Sequence, residues 1–131
     1  MDIYWTPNKI ASLNIIQKIS KLPFEVGVLL GLYNNGYTVI GFKPDTIYST
    51  RISYASLLTL IGKRDVKIVF IHNHPTIPFE FNSFPSAPDT YSTFILKKLC
   101  KLLRITFFDS VIVSRNKEYF SYRENNAFIQ V

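Results

Sequence analysis

Ile68, Val69, Phe70 and Ile71 form an unbroken apolar run after Lys67, and the run is short enough to read as a strand. A strand that is apolar at successive positions has no face to give to water, so it belongs at the centre of a sheet covered on both sides. The rest of the sequence supplies the cover and the neighbouring strands. Thr6 followed by Pro7 reads as an N-cap with proline at the first helical position, and Ile10, Leu13 and Ile16 recur at three-residue spacing behind it. This predicts one amphipathic helix over about 7–20, with Trp5 and Tyr4 packing against its start and Pro23 separating it from the next element. Phe24 to Tyr33 reads as a buried strand, and Asn34, Asn35 and Gly36 as a hairpin turn using the tolerance of Asn and Gly for positive φ. Tyr37 to Phe42 reads as the returning strand. Ser53 can cap a helix carrying Leu57, Leu58 and Ile61, with Gly62 as its stop. A helix from Pro88 to about Arg104 is expected to turn Phe94, Ile95, Leu99, Leu102 and Leu103 inward. Phe107 to Val113 is the next strand, Arg115 to Lys117 a turn, and Glu118 to Tyr122 pairs back. The expected fold class is α/β: a single domain over 1–131, with a mixed sheet covered by helices.

Composition narrows the function classes. Of 131 residues, 47% are apolar and 15% aromatic, enough for a true core, while 18% charged argues against long solvated or coiled-coil helices. One cysteine, Cys100, makes neither an internal disulfide nor a cysteine-rich zinc site, so any metal must be held by nitrogen and oxygen. Cys100 lies among leucines in a helix and reads as a small core residue. The net charge of +6 permits contact with nucleic acid or an acidic protein, and the densest basic group is Lys97, Lys98, Lys101 and Arg104. The other basic residues are scattered, which also serves solubility. Residues 1–5 show no secretory signal, and no apolar stretch approaches the ~18 residues that cross a bilayer. A cytoplasmic protein without membrane contact is expected.

The two histidines of the chain, His72 and His74, sit where the apolar strand ends. Residues i and i+2 of an extended chain point to the same face, so both imidazoles can converge on one metal ion. Pro75 stops the strand, placing the pair at a sheet edge beside a loop. Asp89, in the first turn of the next helix, can bring a carboxylate to the same point. Two histidines and a carboxylate form a catalytic zinc set with one position left open. The plainer alternative is a pair of loop histidines and an aspartate that favours the helix N-terminus.

His72-Asn73-His74-Pro75 followed by Ser86-Ala87-Pro88-Asp89 resembles the HxHP…SxxD pattern of the JAMM (MPN-plus) zinc metalloproteases, and within that superfamily the RadC-like branch. Phe24-Glu25-Val26 resembles the opening of the branch's first strand. Phe108 to Val113 and Tyr119 to Glu124 resemble its closing hairpin. The resemblance implies a JAB/MPN-like domain with the layering of cytidine deaminases. It implies Zn²⁺ as cofactor, with His72, His74 and Asp89 as ligands. It also implies Glu25 as the general base that takes a proton from the attacking water, and Ser86 as the donor to the oxyanion of the tetrahedral intermediate. Several positions depart from the pattern. Ten residues separate Pro75 from Ser86, more than the branch usually has, Thr76-Ile77 replaces its Ser-Gly, and Ser110 and Ser114 stand where it has His and Gly. The helix-hairpin-helix region that often precedes this domain in the branch is absent from the sequence.

The leading expectation is a zinc-dependent metallohydrolase that cleaves a peptide or isopeptide bond. Its substrate would be an extended peptide or the tail of a ubiquitin-like protein. Phe79, Phe81 and Phe84 in the enlarged loop either form a lip for such a tail or fold onto the domain's own core. The alternative is a DNA-repair-associated module that binds nucleic acid or a partner and carries a vestigial metal site.

Overall fold

The structure is a computed structural model and describes residues 4–43, 57–63, 65–75, 85–115 and 118–128. Among these, helices α1 (Pro7–Ala11) and α2 (Asn14–Ser20) precede strands β1 (Gly27–Tyr33), β2 (Gly36–Lys43) and β3 (Lys67–His74). Helix α3 (Ala87–Leu102) and strands β4 (Thr106–Ser114) and β5 (Tyr119–Ser121) come after them. The sheet has the order β2-β1-β3-β4-β5, so the all-apolar strand is central as expected. β3 runs antiparallel to β1 and parallel to β4, while both hairpins are antiparallel. The fold is therefore the expected α/β arrangement with a mixed sheet, and α3 is the crossover that a parallel β3–β4 pair requires.

Alternation along the strands creates two apolar layers. Val28, Leu30, Leu32, Val69, Ile71, Val111 and Val113 face α1 and α2, packing with Ile10, Ile16 and Ile19. Leu29, Ile68 and Phe70 face the other way, against Leu96 and Cys100 of α3 and against Leu57 and Leu60. Each fully buried aliphatic side chain contributes about 1.5–3 kcal/mol, so neither layer is dispensable. Cys100 is buried as expected, and burial pushes its thiol pKa up to about 12, which suits a packing residue.

Several local expectations need correction. The first helix is two helices, broken at Ser12 and Leu13. The Ser12 hydroxyl donates to the Asn8 carbonyl at 2.7 Å, and the Gln17 side chain donates to the Ala11 carbonyl at 2.8 Å. These bonds compete with the helical ladder where it stops. Trp5 packs on the first apolar layer and donates from Nε1 to the Tyr33 carbonyl at 2.8 Å, but Tyr4 is 80% exposed. The first hairpin turns at Asn34 and Asn35, neither with positive φ, and the positive φ of the turn falls on Gly36 at +158°. Gly62 does take the left-handed φ of +77° expected of a helix stop, whereas Ser53 lies outside the described residues. In α3 the buried stripe is Thr93, Leu96 and Cys100. Phe94, Ile95, Leu99 and Leu103 are only half-buried, and Leu102 is exposed. The stripe is rotated from its expected place because the helix buries a threonine, which hydrogen-bonds Ser110 Oγ of β4 at 3.0 Å.

The β4–β5 hairpin is tied by a buried carboxylate, Asp109. It accepts hydrogen bonds from the Ser110 N–H at 2.7 Å, the Arg123 N–H at 2.9 Å and the Ser121 hydroxyl. Burial pushes its pKa up to about 6, against the downward pull of the Ser121, Arg123 and Ser110 hydrogen bonds. Because the folded value lies above the ordinary 3.8, the native state binds the extra proton between the two values. Stability is thus expected to fall by on the order of 3 kcal/mol as pH rises from about 4 to about 6, and to level off above that. Urea unfolding across this range should show the slope in the native protein and a flatter profile in Asp109→Asn.

Candidate metal centre

β3 does not end before the histidines. It runs through them, so His72 and His74 stand at the C-terminal end of the central strand, not at a lateral sheet edge. Alternation puts both on the α3 side together with Phe70, whose ring stacks on His72 with centroids 5.5 Å apart. α3 begins directly across from them. Ser86 is its N-cap, with Oγ accepting the Asp89 N–H at 3.1 Å, and Asp89 Oδ2 accepts the Ser86 N–H at 3.0 Å. This reciprocal capping box fixes the Asp89 side chain at the third helical position. Both expected roles of Asp89 are therefore present together: it favours the helix start, and it faces the histidines.

Two imidazole nitrogens and both oxygens of one carboxylate meet there. His72 Nε2 lies 3.2 Å from His74 Nε2 and 3.2 Å from Asp89 Oδ1, and His74 Nε2 lies 3.0 Å from Asp89 Oδ2. Tetrahedral zinc with bonds of about 2.0–2.1 Å separates its ligand atoms by about 3.3 Å, and one donor atom from each of the three residues lies within 4.8 Å of the others, so the set can close on one ion. The donor chemistry fits as well, with two imidazole nitrogens and one carboxylate. Burial raises the Asp89 pKa, but hydrogen bonds with His72, His74 and the Ser86 backbone outweigh it and hold the carboxyl well below the usual range. The group is ready as an anion. His72 is 4% exposed, but His74 and Asp89 are 17% and 18% exposed, so the centre opens to solvent on that side. His72 Nδ1 is buried and has no hydrogen-bond partner among the described residues.

Glu25 comes from the other neighbour of β3. Gly27 pairs with His72, and one step further the Asn73 N–H donates to the Val26 carbonyl at 3.4 Å. Glu25 precedes Val26 in the chain and so lies next to the residue that bonds the backbone between the two histidines. Glu25 itself is half-buried. The strand expected from Phe24 begins only at Gly27, and the Asn73 side chain bonds the Val26 N–H and the Phe24 carbonyl just before it. Asn73 is the site-proximal residue that sequence reasoning passes over. Its signal is a carboxamide at an inward position of an otherwise apolar strand. Phe79, Phe81 and Phe84 lie outside the described residues.

The family model of the RadC-like JAB domain matches residues 46–127, more than half of the chain. The chain belongs to the RadC-like JAB domain family. The match includes His72, His74, Ser86 and Asp89, while Glu25 precedes it. This RadC-like chain is similar to a UPF0758 protein of Psychrobacter arcticus, 41% identical over 109 residues, covering 79% of the chain and 44% of that protein. It is likewise similar to a UPF0758 protein of Psychrobacter cryohalolentis, 40% identical over 110 residues, covering 79% of the chain and 45% of the relative. The chain spans less than half the length of these two relatives. Among the described residues, no helix of the RadC-like domain is long and apolar enough to cross a membrane.

Proposed function

We propose that this RadC-like domain is a zinc-dependent metallohydrolase that cleaves a peptide or isopeptide bond. The observation that carries the reading is the cluster of His72, His74 and Asp89, in which the two imidazole Nε2 atoms are 3.2 Å apart and each lies 3.0–3.2 Å from a different oxygen of the Asp89 carboxylate. A zinc ion held there supplies a Lewis acid and lowers the pKa of water toward neutrality. The chain's own groups do the rest. Glu25, next in the chain to the Val26 that bonds Asn73, takes the proton of the attacking water and passes it to the leaving amine. Ser86 Oγ accepts the Asp89 N–H and keeps its own O–H to donate to the developing oxyanion, so capping and catalysis are compatible. The substrate class is an extended peptide or the tail of a ubiquitin-like protein. Nucleic acid is the less favoured partner, since the Lys97 ammonium sits 4.3 Å from the centroid of the Phe128 ring and Lys98 lies 5.9 Å from that of Phe94. Those cations already have aromatic contacts within the domain.

The test is elemental analysis joined to a cleavage assay on modifier–lysine conjugates. About one zinc per chain is expected. A chelator should abolish cleavage, and added zinc should restore it. A protein that neither carries zinc nor takes it up would remove this reading.

A further inference from the structure

Asn73 stands between the two histidines on β3 but points to the opposite face, and it is completely buried. Its carboxamide is bonded through both of its heteroatoms. Oδ1 accepts the Val26 N–H at 2.6 Å, and Nδ2 donates to the Phe24 carbonyl at 3.1 Å. Its backbone N–H donates to the Val26 carbonyl at 3.4 Å. In a regular antiparallel pair the Val26 N–H would go to the backbone carbonyl of Asn73. Here the side chain intercepts it and reaches two residues further, past Glu25 to Phe24. The three bonds bracket Glu25 from both sides. We propose that Asn73 is the positioning residue for Glu25, clamping the backbone on either side of it and so holding it beside the strand end whose neighbouring positions, His72 and His74, hold the metal. A carboxamide suits the place because it offers a donor and an acceptor at once, which a carboxylate cannot. The proposal rests on the zinc reading above and adds the device that couples the general base to the ligands.

The experiment is a double-mutant cycle on zinc affinity, measured by chelator competition, with Asn73→Ser, Glu25→Gln and the combination. A carboxylate beside a dication strengthens its binding, so Glu25→Gln should weaken zinc about tenfold, and groups that orient a metal site carry effects of about 10- to 100-fold. Asn73→Ser should also weaken zinc about tenfold when Glu25 is present, but by less than about twofold when Glu25→Gln is already in place. Hydrogen exchange at the Val26 amide should quicken in parallel. If circular dichroism shows Asn73→Ser to be unfolded, Asn73→Gln takes its place, keeping both amide atoms one methylene further out. Equal losses in the two backgrounds would mean that Asn73 acts on the histidines and not through Glu25, overturning the proposal. Unchanged affinity in the Asn73 variant would overturn it too. Failure of the zinc reading shows separately, as an unmodified protein that binds no zinc, and it takes the clamp with it.

Discussion

His74→Ala is expected to take the protein from about one bound zinc per chain to none and to bring hydrolysis below detection. His74 Nε2 approaches both the second imidazole, at 3.2 Å, and the carboxylate, at 3.0 Å. Its removal leaves one nitrogen and one carboxylate, too few for a catalytic zinc set. The fold should survive, because the His74 side chain is 17% exposed and belongs to neither apolar layer. Elemental analysis checks the metal and a thermal melt checks the fold. Zinc retained at the native level in His74→Ala would place the metal elsewhere. The melt carries a second reading: adding zinc should raise the midpoint of the native protein, since a ligand at 100 times its Kd stabilises the folded state by about 2.7 kcal/mol, and should leave His74→Ala unmoved.

Glu25→Gln should give the complementary result, with zinc kept and turnover lost by about 10²- to 10⁴-fold. Glutamine has nearly the same shape and still fills the half-buried position, but it cannot accept a proton near neutral pH. Glu25 is not one of the three groups whose donor atoms meet, so stoichiometry should hold even where affinity falls. The discriminating measurement is kcat at saturating substrate in a zinc-replete sample. Undiminished turnover would mean that another group is the base.

Much of this is legible in residue order. The four-residue apolar run of β3 announces its central place, because no other position buries both faces of a strand. The HxH spacing announces convergence, because strand geometry leaves i and i+2 no choice of face. Asp89 is legible because Pro88 and Ser86 mark a helix start, and the start determines which side the third residue takes. The features that escape are governed by side chains that replace backbone. Asn73 bonds the chain just before β1, which begins three residues later than expected. The Gln17 side chain bonds the Ala11 carbonyl where α1 stops. Thr93 is too polar for an inward position until its hydroxyl meets Ser110 across the layer. Asn73 and Thr93 are buried because each has a partner on another element, and periodicity does not report such partners.

Asp89 and His74 lie on either side of the insertion between Pro75 and Pro85, and they touch. A bound ion would staple the strand end to the helix start in a chain whose lone thiol cannot form a covalent staple. With both ends pinned, lengthening the intervening stretch costs little, about 0.6 kcal/mol for each doubling of its length. The contact between His74 and Asp89 is therefore compatible with a long connection between them.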